Sequence, residues 1–423
     1  MQIFLVGAIT AYSFLLRVIN LGRPNALVFD EIYYVDGARD LLKYGVEVEG
    51  AKPEFIVHPP VGKWLIGIGI QIFGDTSFGW RIVSAILGTL MIVLIALIAH
   101  ELFHNPTLTV AASALMSLDG LALVHSRAAL LDNFLAFFIL SAAYFFIKGQ
   151  NWLTGLSLGL ALGTKWSALY FIAIFGLITL YKVFSNASGK ALLKPTGKTI
   201  VQFGVLPIFI YVSSWAGWFK SSRGWDRNFS ENSISSFIYY HRQMLGFHTG
   251  LTDNHSYQAN PWSWLVMGRP TSFFYESPKG CGSDACAQEV LALGTPLLWW
   301  SATIAVVVVL AIWAKSLLER RIDPALTLIV SGIAAGYLPW FFFQKRTVFS
   351  FYAIVFEPFL ILALIYCAWL WFERAKNKNI ALASMGLLLI AIALNFIYFI
   401  PLYTAEIITY DSWRQHMWLP SWI

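Results

Sequence analysis

Residues 81–100 read RIVSAILGTLMIVLIALIAH, with no acidic or basic side chain between Arg81 and His100. A helix rises 1.5 Å per residue, so about 20 such residues cross a hydrocarbon layer ~30 Å thick. Working outward, the same pattern recurs. Apolar segments lie near residues 2–19, 81–100, 107–124, 129–147, 151–163, 167–183, 200–218, 293–314, 324–343, 350–372 and 379–400. The expectation is an all-α polytopic membrane protein with about eleven transmembrane helices. The fifth segment is short, which makes the count least secure at 151–183.

Composition agrees. Of 423 residues, 58% are hydrophobic and 12% charged, against roughly 25% charged in a soluble domain. Mean hydropathy is +0.64. A disordered chain, a coiled coil and an ordinary soluble enzyme are excluded. The 18 Trp residues suit rings anchored at both membrane interfaces. The net charge of +6 is no nucleic-acid footprint, because Lys and Arg gather in cytoplasmic loops of membrane proteins.

The first segment has no basic stretch before it and no small-residue cleavage site before Arg17, so it is expected as a retained helix. With the N-terminus cytoplasmic, the even connections carry Lys148; Lys182, Lys190, Lys194 and Lys198; Lys315, Arg320 and Arg321; and Arg374, Lys376 and Lys378. Against those eleven basic residues stand Glu101, Glu319, Asp323 and Glu373, which satisfies the positive-inside rule. Two long connections, 20–80 and 219–292, and the tail from 401 then lie outside. No linker divides the chain, so 1–423 reads as one membrane domain. The Asn186-Ala187-Ser188 sequon falls on the cytoplasmic side and is expected to be chance.

Ionisable residues at a membrane edge are costly and are functional candidates. The first outer loop carries Asp30 and Glu31 at the start of an amphipathic stretch, followed by His58 and Lys63. Its apolar spacing, over 26–45 and 61–73, suits interfacial helices. An acidic pair at a helix start can also simply offset the helix dipole, a role that one carboxylate would fill. Arg127 and Asp132 lie five apart at the outer ends of apolar segments, either as an internal ion pair or as lining of the same chamber as Asp30. Arg127, Lys165, Lys345 and Arg346 all run against the positive-inside bias. An anion at the outer leaflet, such as a lipid phosphate, would account for them; so would side chains snorkelling to ordinary head groups. In the second outer loop, Trp262, Trp264 and Arg269 belong to an aromatic and polar stretch. It can contact sugar or peptide, or join the interfacial belt. Cys281 and Cys286 form a disulfide if that loop meets an oxidising compartment, and are otherwise free thiols.

No P-loop, GxGxxG, HExxH or CxxC pattern occurs. ATP-driven transport and nicotinamide chemistry are disfavoured, and neither a metal nor another cofactor is expected. A flippase would place ionisable groups near mid-membrane, whereas these cluster at the outer end. A carboxylate beside outer-leaflet cations suits group transfer from a lipid phosphate. The cations hold the leaving phosphate, and the carboxylate takes the proton of the incoming hydroxyl. A single displacement at a sugar inverts the anomeric centre and needs one base.

The chain resembles the protein O-mannosyltransferase family, of GT-C fold, and especially its actinobacterial members. The resemblance lies in FDEIYYVDGARDLL (29–42), HPPVGKW (58–64), HSRAALLDN (125–133), GTKWSALY (163–170), NPWSWLVMGRPTSFFYE (260–276), CGSDACAQEVLALGTPLLWW (281–300), RTVFSFYA (346–353) and MWLPSWI (417–423). It implies a polyprenyl-phosphate-mannose donor and a Ser or Thr hydroxyl of a secretory polypeptide as acceptor, with membrane lipids and the export machinery as surroundings. It implies Asp30 as the catalytic aspartate with Glu31 beside it. Phosphate contact by His58, Lys63, Arg127, Lys165 and Arg346 is an expectation from charge and side. Eukaryotic members carry a β-trefoil insertion in the second outer loop; here that loop is too short for one. The competing expectation is a related transferase that moves a sugar from polyprenyl phosphate onto a lipid or glycan.

Overall fold

The computed structural model describes residues 1–186 and 188–423; Ala187, the middle of the sequon, lies outside the described residues. Helix α1 (Gln2–Val18) leads into α2 (Glu31–Tyr44), a two-stranded turn of β1 (Val48–Glu49) and β2 (Lys52–Pro53), and α3 (Val61–Phe73). Then follow α4 (Ser77–Phe103), α5 (Pro106–Ser117), α6 (Gly120–Ser126), α7 (Leu131–Ile147), α8 (Asn151–Leu162) and α9 (Ala168–Asn186). A π turn joins α10 (Leu193–Ile200) to α11 (Leu206–Ser214), and α12 (Ala216–Lys220) precedes α13 (Ser233–Gly250). Strands β3 (Thr271–Glu276) and β4 (Cys286–Ala292) come before α14 (Pro296–Leu318), α15 (Pro324–Tyr337), α16 (Glu357–Arg374) and α17 (Lys378–Tyr403). Strand β5 (Ile407–Thr409) and α18 (Tyr410–His416) close the order.

Each of the eleven apolar segments is helical, but among the described residues six helices are long and apolar enough to cross a membrane alone, or seven if α5 and α6 count as one bent span. The other segments are shorter or carry more charge. The 62° bend between α5 and α6 has a local cause. Asp119 ends one helix and caps the next, its Oδ1 accepting from the Ala122 amide at 3.0 Å. Its Oδ2 accepts from the Thr295 amide and the Trp299 indole, which fixes the break against α14.

Helices start where their sequences carry caps. Asn105 followed by Pro106, Asp323 followed by Pro324, and Asn377 each accept from the first free amides of α5, α15 and α17. The core lies where α4, α6, α7 and α16 meet, with Leu121, Phe134, Ile139 and Phe359 fully buried. Helix α3 reaches that core because its second residue is Gly62: a Cβ there would come within 2.5 Å of Leu131.

Against the connection between α1 and α2, β3, β4 and β5 form an antiparallel sheet in that order. Thr271 pairs with Ala292 and Glu276 with Gln288, with an irregularity between Ser272 and Phe274. The Phe29 amide donates to the Phe273 carbonyl at 3.1 Å, which ties the residue before Asp30 to this sheet.

Candidate active site

Asp30 occupies the N-cap position of α2, but its side chain makes no cap hydrogen bond. It is half-buried and accepts one bond, from the Tyr34 hydroxyl at 3.2 Å. Burial, with the Asp132 carboxylate adding like charge, pushes its carboxyl up to about 6, although Lys165 and Tyr34 pull the other way. An aspartate poised there is still mostly ionised at neutral pH and can accept a proton.

Glu31, expected beside Asp30 in the catalytic pair, has a different environment. Glu31 is 0% exposed. Its Oε1 accepts from Arg81 Nε at 2.8 Å and from the Ala129 amide at 2.7 Å. Its Oε2 accepts from Arg81 Nη2 at 2.8 Å and from the Val28 amide at 2.9 Å. A carboxylate with two partners on each oxygen has no lone pair to spare for a substrate. Its geometry is that of a positioning residue which locks the loop before α2 onto α4 and the α6–α7 connection.

The cations divide in the same way. Lys165 Nζ is 2.7 Å from Asp132 Oδ2 and lies 4.9 Å above the Tyr352 ring. Asp132 therefore pairs with Lys165 and not with Arg127. Arg127 instead donates to the carbonyls of Leu16, Arg17, Ile19 and Asn20, where it caps the end of α1. Lys63 is buried against Glu47 at 2.9 Å. Both side chains are thus engaged by partners within the protein.

Arg346 places its Nη2 3.4 Å from His248 Nδ1, and its buried Nε has no partner among the described residues. The His248 Nε2 donates to the Val57 carbonyl at 2.7 Å, so its Nδ1 is left as the acceptor that faces Arg346. Burial, with the Arg346 and Lys165 charges adding, pushes the His248 imidazole down to about 4, against the Val57 contact. Burial and the same cations also hold His58 well below its usual range.

These groups wall a cavity of about 290 Å³. Its lining combines the polar side chains of His58, Asp132, Lys165, His248 and Arg346 with the apolar ones of Leu169, Tyr170, Leu245, Pro339, Trp340 and Phe343. Leu169 and Leu245 are also about half exposed on the outside of the bundle. Asp30, Lys63 and Arg127 are not in the lining. Asp30 stands behind it, with the Tyr34 ring 6.0 Å from that of His58. Among the described residues no group of three or more His, Cys, Asp and Glu is arranged to hold a metal.

The second-loop candidates fall elsewhere. Trp262 is 65% exposed, whereas Trp264 is fully buried and donates to the Ala259 carbonyl. Arg269 donates to main-chain oxygens of Ser256, Ser421 and Ile423, so it fastens the tail. Trp264 therefore packs in the interior, and Arg269 ties the second loop to the tail. Cys281 and Cys286 are joined by a disulfide.

Sequence reading passed over His248, Tyr34, Tyr352 and Arg81. Arg81 was open to the same test as Arg127, since it too is a cation at the outer end of an apolar run. No local pattern marks His248.

A helical bundle that sets Asp30 close to a cavity lined by both cations and apolar side chains is the arrangement of a membrane glycosyltransferase of GT-C fold. The chain belongs to the protein O-mannosyltransferase family. Residues 71–219 match the family described as dolichyl-phosphate-mannose-protein mannosyltransferase, and residues 233–422 match the C-terminal four-helix transmembrane region of protein O-mannosyltransferase. The polyprenol-phosphate-mannose–protein mannosyltransferase of Mycolicibacterium smegmatis is 31% identical over 99% of this chain and 92% of its own. The enzyme of the same name from Corynebacterium glutamicum is 32% identical over 98% and 91%. The fold is also similar to that of the donor-bound S. cerevisiae Pmt1-Pmt2 protein O-mannosyltransferase complex. The TM-score is 0.86 at 15% identity, covering 100% of this chain and 92% of that one.

Proposed function

We propose that the protein transfers mannose, with inversion, from polyprenyl-phosphate-mannose to Ser or Thr hydroxyls of exported polypeptides at the outer face of the membrane. Asp30 is the general base. It takes the proton of the attacking hydroxyl as that oxygen bonds to C1 of mannose. The bond from C1 to the phosphate oxygen breaks, and the polyprenyl phosphate leaves with one more negative charge. Lys165 and Arg346 hold that charge through charge-assisted hydrogen bonds. The apolar side chains of the cavity take the first isoprene units.

One observation carries this reading: a half-buried aspartate with a single hydrogen bond stands beside a cavity that offers cations to a head group and apolar side chains to a lipid chain. The charge bias of the connections supports an outward-facing site with the N-terminus inside. The similarity to protein mannosyltransferases favours a polypeptide acceptor over a lipid or glycan.

The test is purified protein with polyprenyl-phosphate-mannose and a Ser/Thr-containing peptide, read by mass spectrometry. Mannosylated peptide is expected. Label that appears only in added lipid or glycan would overturn the reading.

A further inference from the structure

The main chain at Asp30 is fixed from both sides. Phe29 before it sits at φ 45°, in the left-handed region that a non-glycine residue enters only when its surroundings hold it there. Its amide donates to the Phe273 carbonyl, and its ring packs on those of Phe273 and Phe351 at 5.1 and 5.4 Å. Glu31 after it is tied to Arg81 and to the Val28 and Ala129 amides. The side-chain torsions of Asp30 are the freedom that remains.

An aspartate at a helix N-cap ordinarily turns its carboxylate onto the helix. Asp119 and Asp323 do so in this chain. Both have extended backbone, at φ −96°, ψ 131° and φ −86°, ψ 116°, and each accepts from amides of the first turn. Asp30 instead has helical backbone, φ −70°, ψ −2°, and its carboxylate accepts from no first-turn amide. The Tyr34 hydroxyl takes the place of those amides. Residues four apart share a helix face, and long side chains lean back toward the N-terminus. The hydroxyl therefore comes over Asp30 and donates to Oδ2 at 3.2 Å. The tyrosine is itself held: it is 4% exposed, and its ring lies 6.0 Å from that of His58 in the cavity wall. Asp30 Oδ1 has no partner among the described residues and is not sealed from solvent.

We propose that Tyr34 aims the base: by holding Oδ2 it turns Oδ1 to the acceptor hydroxyl, and Oδ1 is the oxygen that takes the proton. The inference rests on the reading of Asp30 as general base and adds which of its oxygens acts and what positions it. The two oxygens of a carboxylate are equivalent until one is occupied. As the acceptor oxygen bonds to C1, its proton passes to Oδ1 and the bond from C1 to the phosphate oxygen breaks; Tyr34 keeps its own proton throughout. Lys165 does not compete for the role, because its ammonium is 2.7 Å from Asp132. An O–H donor favours the ionised carboxylate, in the same sense as Lys165 and against Asp132. With Tyr352 and His58 beside the tyrosine, these are the charged and titratable groups that face the pair.

The test uses the full-length protein in lipid nanodiscs and Tyr34→Phe, which removes the hydroxyl and keeps the ring. The kcat is expected to fall about ten- to a hundredfold, with donor KM and unfolding temperature nearly unchanged. The acid limb of kcat/KM is expected to move up by about one pH unit, the value of a hydrogen bond to a charged group. Tyr34→3-fluorotyrosine, a more acidic donor, should move the limb down instead. A tyrosine that only packs would shift the unfolding temperature and leave the limb in place. A limb that stays put in both variants, in an enzyme that Asp30→Asn still disables, overturns the proposal and keeps Asp30 as the base. A second readout needs no turnover: infrared titration of the Asp30 carboxyl, assigned as the band missing from Asp30→Asn. Its midpoint is expected to rise in Tyr34→Phe and to fall with 3-fluorotyrosine. An unmoved midpoint overturns the positioning role alone. An Asp30→Asn variant as active as the parent overturns the base reading, and the proposal with it.

Discussion

The Lys165 ammonium and the Asp132 carboxylate are 2.7 Å apart, on the α8–α9 connection and the first turn of α7, and both face the cavity. Each is at most about a tenth exposed. Breaking such a pair leaves one charge buried alone, at a cost of about 3–5 kcal/mol, whereas replacing both by apolar groups of similar size is often neutral. Asp132→Ala is therefore expected to lower the unfolding temperature in detergent clearly. Lys165→Met combined with Asp132→Leu should recover most of that loss, but not transfer. If the double variant were as active as the parent, Lys165 would have no part in holding the phosphate.

On the proposed mechanism Asp30 sets the acid limb of the pH profile. Its ionised form is the one that works, so kcat/KM is expected to fall about tenfold per pH unit below about 6 and to level off above it. The neighbours fix the sign of two further shifts. Lys165 lowers the Asp30 value and Asp132 raises it. Residual activity of Lys165→Met should therefore titrate at higher pH than the parent, and that of Asp132→Asn at lower pH. Asp30→Asn should cost about 10²–10⁴ in kcat with little change in unfolding temperature, because the side chain makes no cap bond to lose. A rate that stays flat from pH 5 to pH 8 would remove Asp30 as the base.

Glu31→Gln separates the two neighbouring carboxylates. It deletes the charge that Arg81 faces in a site from which water is excluded. The expected result is a loss of about 3–5 kcal/mol in stability, with activity falling in proportion to the folded fraction. Normal stability with abolished turnover would instead make Glu31 a participant in the chemistry.

Much of this was legible in the chain, and the boundary has a physical form. Apolar runs long enough to cross a bilayer announce themselves by composition, so the helical segments and the location of the polar loops could be read directly. Which charged residues reach the cavity could not. Arg127, Lys165 and Arg346 look alike in sequence, since the charge reading sets each of them against the positive-inside bias. Their roles separate only when the fold brings the carbonyls of α1 to Arg127 and Asp132 to Lys165. The Asp30–Glu31 pair shows the same limit. One helical step turns the first carboxylate toward Tyr34 and the second toward Arg81, and only the partners tell them apart. His248 was beyond reach because its role comes from facing Arg346, 98 residues away in the chain.

The contrast between Arg346 and Arg127 yields the last prediction. Among the described residues Arg346 has one weak side-chain contact, at 3.4 Å to His248, and it lines the cavity. All of the contacts of Arg127 are to the main chain at the end of α1, which it caps. Arg346→Ala should therefore raise the donor KM, by about tenfold or more for a lost charge-assisted bond of roughly 1.5–3 kcal/mol, and leave the unfolding temperature nearly unchanged. Arg127→Ala should do the reverse: the four carbonyls lose their donor, the unfolding temperature falls, and the surviving folded enzyme keeps its donor KM. Steady-state kinetics with varied polyprenyl-phosphate-mannose, beside thermal unfolding of the same preparations, reads both quantities. If the two variants exchanged these signatures, the phosphate would have to lie at the end of α1 and not in the cavity beside Lys165.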